Sequence, residues 1–254
     1  MQNWKSHYNI LDFETVDSTN SEALRLASSG VRGDFLIRSQ QQTGGRGQKG
    51  REWVSINGNL HASILLESPA LPKNNPQLSF VIANAMYDSI FALAKEHKAS
   101  INIELKWPND ILIEGKKVAG ILLESINFQN KTNVVIGFGV NVAKAPSSLG
   151  QQFTCLFDEG IILDNSDVFL DILMNNFNKL YQKWCLDNNF ISTRKNWMQH
   201  AHNLNKVITI NDGVDSISGE FKEIDDDGAL CLQLEDGRVC VFYAGDISID
   251  EKMK

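Results

Sequence analysis

The chain has 254 residues, 43% hydrophobic and 22% charged, with a formal net charge of -7; this is enough for one large domain or two unequal ones, and it excludes disorder, collagen and coiled coil. From Asn205 to Lys254 there are 12 acidic and 5 basic residues, against 19 of each before them, so the excess acid lies in the last fifth and nucleic acid is not an expected partner. No segment reaches the roughly 18 uninterrupted apolar residues of a membrane span, and MQNWKSHYNILDFE lacks a signal peptide's basic start and apolar run, so a cytoplasmic protein without membrane association is expected.

Asp17 to Ser29 predicts a first helix, with Ser18 and Thr19 as caps, Glu22 as a capping-box partner three residues after Thr19, and Gly30 as the stop. Asp34 to Ser39 reads as a strand. A polar loop, Gln40 to Arg51, follows, and strand signal resumes at Trp53 and again at Leu60 to Leu66 beyond the turn Asn57-Gly58. Leu78, Val81, Ile82, Ala85, Ile90 and Leu93 fall near helical spacing within Leu78 to Glu96, so a helix should cover one sheet face. Ile101 to Leu105 returns to strand. LKWPNDILIEGKKVAGILLES predicts two strands about the turn Glu114-Gly115-Lys116, and Asn133 to Val142 another, joined to them through Gln129 to Thr132.

Asp167 to Trp184 and Phe190 to His200 predict two helices that close this mixed domain. Short strands then take over, at Val207 to Ile210, Ser216 to Ile224, Ala229 to Leu234, Arg238 to Tyr243 and Ile247 to Ile249. They are separated by Asn211-Asp212-Gly213, Asp227-Gly228 and Asp236-Gly237, the pattern of a small barrel. A boundary is expected near Asn203, giving domains of residues 1–203 and 204–254. No flexible linker separates them, so the barrel should dock on the larger part.

The loop Gln40 to Arg51 packs four glycines and three positive charges with no acid, a composition suited to an anion. GRGQKG, Gly45 to Gly50, fits the dinucleotide pattern, but strand rather than helix follows it. The phosphate-loop pattern fails as well, because Arg51 and Glu52 stand where Lys and Ser/Thr are required. Read alone, the loop is as well explained by a solvated segment without ligand. In KWPND, Lys106 ends an apolar strand and suits a polyphosphate, while Asp110 suits a magnesium ion; Asn109-Asp110 alone is an ordinary turn pair. Lys117 opens an otherwise apolar strand whose Gly120 lets a ligand or backbone come close, although a strand-end lysine is commonly a solvated edge charge. GFGVNV, Gly137 to Val142, sets glycines in a buried strand ahead of Asn141, which also fits a bulge and turn.

His7, His61, His97, His200 and His202 show no ligand spacing or triad context, and no nucleophile elbow is present. Cys155, Cys185, Cys231 and Cys240 form no CxxC pair and read as buried free thiols.

Together DSTN (Asp17 to Asn20), QxxGRG (Gln42 to Gly47) followed by Trp53, KWPND, KxAGIL (Lys117 to Leu122) and GxGxNV (Gly137 to Val142) resemble biotin protein ligases in order and spacing, from about Glu14 onward. The resemblance implies an α+β fold: a mixed β-sheet catalytic domain with helices on one face, class II synthetase-like, plus a C-terminal SH3-like β-barrel. It implies that biotin and ATP give biotinyl-5'-AMP and pyrophosphate, and that a lysine of a biotin carboxyl carrier protein of acetyl-CoA carboxylase or a related carboxylase then takes the biotinyl group. Carried onto this sequence, Ser18, Thr19, Asn20 and Gln42 would hold biotin, with Gly45, Arg46 and Gly47 at its carboxylate and then at the adenylate phosphate. Lys117 would neutralise both anions, with Gly120 giving room beside the ligand. Gln48, Arg51, Trp53, Asn109 and Asn141 would contact ATP, with Trp53 over the adenine. Lys106 and Asp110 join Lys117 and Arg46 in the chemistry, and Asp110 and Asn141 would sit near Mg2+.

Two departures stand out. Gln48 occupies the place where many members have a second arginine after GRG, so charge on the adenylate must come from Arg46, Lys49 and Arg51. Only some 13 residues precede the first motif, too few for the helix-turn-helix of bifunctional members, so a monofunctional ligase is expected. Lipoate protein ligase or octanoyltransferase, and a non-enzymatic biotin-binding module, are the rival readings. The sequence leaves a homodimer open.

Overall fold

The structure is a computed structural model and describes residues 4–147, 152–187, 190–211 and 216–248. Its first strand, β1 (Asn9–Val16), has no counterpart among the predicted elements, although Leu11-Asp12-Phe13-Glu14 carries the period-two alternation of a strand with one face in a core. Helix α1 (Thr19–Ser28) is capped by Ser18, whose Oγ accepts from Ser21 N. Thr19 is therefore already helical, and Glu22 pairs with Arg25 at 2.6 Å instead of closing a capping box. β2 (Phe35–Gln42) runs parallel to β1, with α1 as the crossover. It extends through Gln40 to Gln42, residues expected in the loop. Nor does strand resume at Trp53: between Thr43 and Asn59 the bridge Arg46–Glu52 replaces a regular strand, so Asn57-Gly58 leads into β3 (Leu60–Leu66) without closing a hairpin.

After α2 (Leu78–His97) come β4 (Ile103–Lys106), β5 (Asp110–Ile113), β6 (Lys116–Phe128) and β7 (Lys131–Val140). KWPND is the turn between β4 and β5. Glu114-Gly115 and Gln129-Asn130 have left-handed backbone, the geometry of tight hairpin turns. The resulting sheet has the order β1-β2-β3-β7-β6-β5-β4, antiparallel except for β1 and β2.

Helices α2, α3 (Ser166–Asp187) and α4 (Phe190–Gln199) pack on one face, against Leu36, Ile64, Leu66 and Ile136. The helical segment Lys73–His97, of which α2 is the main part, is long and apolar enough to cross a membrane, but most of it is buried in this core. The alternate residues Phe35, Ile37, Leu65 and Val135 bury α1 on the opposite face through Ala23 and Ala27. Because α1 is short, the rest of that face stays open, and the cavity forms there.

β8 (Val207–Asn211), β9 (Ser216–Ile224), β10 (Leu230–Gln233), β11 (Val239–Phe242) and β12 (Asp246–Ser248) form an antiparallel sheet of order β11-β10-β9-β8-β12. Asp212 and Gly213 of one expected turn, and Ile249, lie outside the described residues. The second sheet is docked as expected: Ile208, Phe221, Leu230 and Phe242 join the main core, Trp107 Nε1 donates to Gly228 O at 3.1 Å, and Arg194 pairs with Asp226 at 2.8 Å.

Candidate active site

Register decides what lies on the open face. His61 of β3 is opposite Gly139 of β7, Gly139 is opposite Gly120 of β6, and Gly120 is opposite Asp110 of β5. One row therefore reads His61, Gly139, Gly120, Asp110, a two-glycine floor between two polar walls. The Trp53 indole lies on that floor; a Cβ on Gly139 would collide with its five- and six-membered rings, and one on Gly120 would stand 3.1 Å from both Trp53 and Lys117 Nζ. Lys117 Nζ is 2.6 Å from Asp110 Oδ1 and 5.6 Å from the indole centroid, within cation–π range.

The next row holds Ser63 opposite Gly137 and Gly137 opposite Leu122, with Glu124 two residues further along β6 on the same side. The bare Cα of Gly137 admits Asn20 from α1, since any Cβ there would overlap its amide. Around Asn20 the hydrogen bonds are closed. Its Nδ2 donates to Glu124 Oε2 at 2.8 Å, its Oδ1 is 2.6 Å from the Ser63 hydroxyl, and Thr19 N donates to Gln42 Oε1 at 2.9 Å. Gln42 Nε2 in turn donates to Ser55 Oγ at 3.2 Å. Glu124 Oε2 also accepts from Arg46 at 3.0 Å, which ties the glycine loop to this polar end.

On the other side of the loop, Lys49 and Arg51 reach Asp246 of β12 at 3.1 and 3.0 Å. Burial acts upward on the Asp246 carboxyl, yet the two cations hold it below its ordinary value. Loop and second sheet are thus joined by charge. The three positive charges of the loop already have acidic partners, Arg46 in Glu124 and Lys49 and Arg51 in Asp246.

A cavity of about 310 Å³ opens beside these groups. Ser18, Thr19, Asn20 and Gln42 line one end, and Asn109, Asp110, Lys117 and Gly120 the other. Arg46, Gly47, Gln48, Arg51 and Trp53 cover it from the loop. Four expected site residues do not line it, Lys49 among them because it turns to Asp246. Gly45 sits behind the loop, where a Cβ would press on Trp53 O at 2.5 Å. Lys106 pairs in register with Asp110 at the sheet edge. Asn141 is 1% exposed and its amide is fully engaged, donating to Thr154 O at 3.0 Å and facing Asn59 Nδ2 at 3.4 Å, so its side chain braces the strand end away from the proposed ligand.

Sequence reasoning passed over Glu124, Ser63, His61 and Asp246. For Glu124 the signal was present, because Gly120, Leu122 and Glu124 share one strand face by alternation. For His61 and Asp246 the signal was absent, since their partners lie across the sheet or in the other domain.

The open face of the sheet thus combines paired glycines, a partly buried lysine and a cationic loop around one cavity. The family model described as the biotin/lipoate A/B protein ligase family matches residues 13–141, and that of the biotin protein ligase C terminal domain matches 204–250. The chain belongs to the biotin protein ligase family. It is 37% identical to a biotin--[acetyl-CoA-carboxylase] ligase of Paracoccus denitrificans over 91% of this chain and 98% of that one. A ligase of the same name from Mycobacterium tuberculosis is 30% identical over 91% of this chain and 85% of its own. The structure of a biotin protein ligase from Aquifex aeolicus in complex with biotin and ATP superposes with a TM-score of 0.78 at 25% identity, covering 94% of this chain and 97% of that one.

Proposed function

We propose that the chain activates biotin with ATP and transfers it to a lysine of a biotin carboxyl carrier protein. The observation that carries this reading is the Lys117–Asp110 pair, set at one wall of the same cavity that Arg46 and the glycine loop close. In the first step a biotin carboxylate oxygen bonds to the α-phosphorus of ATP and the bond to the β-phosphate oxygen breaks, releasing pyrophosphate. Two anions must meet, so catalysis comes from alignment and charge neutralisation rather than from a covalent enzyme intermediate. Lys117 and Arg46 supply that charge, and Lys117, whose side chain is only 15% exposed, acts the more strongly for being screened less by water. In the second step the carrier's lysine amine bonds to the acyl carbon, AMP departs with the carbonyl–phosphate oxygen, and the amine loses a proton.

Ser18, Thr19, Asn20 and Gln42 form the polar end that suits the biotin head group, and Trp53 with Asn109 the nucleotide side. Among the described residues no group of three or more His, Cys, Asp or Glu forms a metal cage, so a magnesium ion would arrive with the phosphates, and Asp110 is the carboxylate that would hold it. The ion would supply charge to the phosphates. We read residues 1–203 as the catalytic domain, 204–254 as the C-terminal domain, the cytoplasm as the location, and a carrier of acetyl-CoA carboxylase or a related carboxylase as the partner.

Biotin-dependent exchange of labelled pyrophosphate into ATP tests the first step, and acceptance of the product by a carrier domain tests the second. Exchange with lipoate but not biotin would overturn the substrate assignment.

A further inference from the structure

His61 is 1% exposed and stands at the end of the glycine floor. Its Nδ1 is 3.3 Å from Trp53 Nε1 and its Nε2 is 3.4 Å from Ile56 O. An indole N–H only donates and a carbonyl only accepts, so the two contacts are satisfied together in a single tautomer. Nδ1 is bare and accepts from Trp53, while Nε2 carries the proton and donates to Ile56. Burial holds the imidazole neutral, pushing its pKa below the ordinary value against the opposing Ile56 carbonyl.

Both partners belong to the stretch between Thr43 and Asn59, whereas His61 itself lies on β3 in the middle of the sheet. The histidine therefore grips the second half of the loop at two points, one side chain and one backbone carbonyl. Asp246 grips the first half through Lys49 and Arg51. Without His61, nothing in the glycine row could fix the rotation of the indole, since Gly139 and Gly120 offer only a flat surface.

We propose that His61 is a positioning residue that holds the Trp53 indole flat on the Gly139–Gly120 floor and so presets the nucleotide side of the cavity. It touches no reacting atom. Its effect on nucleotide binding rests on the function proposed above, while its effect on the indole does not.

Two variants separate positioning from mere packing. His61→Asn places an amide oxygen where Nδ1 stands and keeps an acceptor for the indole. His61→Phe keeps the volume and removes the acceptor. The chain has five tryptophans, so the Trp53 indole N–H is identified in a 1H–15N spectrum by its loss in Trp53→Phe. That resonance is expected to shift and to exchange faster with solvent in His61→Phe, and to stay near its native position in His61→Asn. KM for ATP should rise about fivefold to tenfold in His61→Phe, with KM for biotin within about twofold and recovery in His61→Asn, as expected for one lost hydrogen bond to a binding group. In a Trp53→Phe background, His61→Phe should add nothing to KM for ATP. An unchanged indole resonance in His61→Phe overturns the proposal, as does an equal loss of ATP and biotin binding that His61→Asn does not restore. A shifted resonance with unchanged KM for ATP supports the positioning role and removes Trp53 from the nucleotide site.

Discussion

Lys117 Nζ lies 2.6 Å from Asp110 Oδ1, and each side chain is only 15% exposed. The pair stands beside Gly120, where Asp110 ends the row that Gly139 and Gly120 leave bare. A lysine held there by a carboxylate keeps its position before any substrate arrives and can turn its charge to an incoming anion. Lys117→Ala should lower the rate of adenylate formation by about 100- to 1,000-fold, the range for losing one preorganised charge donor. Single-turnover measurement of pyrophosphate release checks this. A rate within about threefold of native would return Lys117 to a structural role.

Glu124 gives a different signature, because a single oxygen accepts from both Asn20 and Arg46. Glu124→Ala frees the Asn20 amide to turn and releases the loop arginine at once. KM for biotin should rise about tenfold or more, and Glu124→Gln, which keeps an acceptor but no charge, should fall between that variant and native. Equal biotin binding in all three proteins would show that the junction is ornamental to the head-group end.

Local features of the fold were legible in the sequence. The Ser18 cap, the Leu78–His97 helix, the hairpin turns and the five short C-terminal strands all follow from patterns confined to a few residues. β1 is legible in the same way, through Leu11 and Phe13, but it pairs only with a strand beyond α1 and has no turn signal to frame it. Trp53 reads as strand because an aromatic residue near β-branched neighbours has that propensity, yet Gly45 and the Arg46–Glu52 bridge fold the chain back first. The motifs mark most cavity residues directly. They misdirect for Asn141, whose position next to paired glycines does not reveal that its amide faces Thr154 and Asn59.

The neutral, buried state of His61 makes a pH prediction. Its folded pKa is lowered while the unfolded chain titrates near the ordinary value, so the unfolded state takes up the proton first. The stability tied to neutral His61 is fully present above the unfolded pKa and is lost as pH falls from there through the folded value. Arg38, Asp12, Glu14, Asp164 and Asp167 line the neighbouring cavity that His61 also borders, and their charges are common to native and variant. Between about pH 8 and about pH 5 the Tm of the native protein should fall more steeply than that of His61→Phe. Parallel Tm curves would mean that His61 is protonated without penalty.

The last prediction concerns Asp246, through which the C-terminal sheet reaches the active-site loop. Lys49 and Arg51 share its carboxylate, and all three groups are partly solvated, so each contact is weak alone and sensitive to salt. Removing the whole sheet is a blunt test, since Phe221, Leu230 and Phe242 belong to the main core and Trp107 would lose its Gly228 partner. Asp246→Asn leaves that packing in place and removes only the charge. The depressed carboxyl gives the sign with pH: the contact is present above the ordinary aspartate range and is lost as pH falls through the lowered value, so at neutral pH the native latch is closed. Asp246→Asn should therefore speed tryptic nicking after Lys49 and Arg51 in the ligand-free protein, with a Tm close to native, and saturating biotin plus ATP should suppress that nicking by giving Arg51 an anion in the cavity. High salt should have the same effect on the native protein as the substitution. Nicking that is equally slow in native and variant protein, with and without salt, would show that the sheet holds the loop by packing alone.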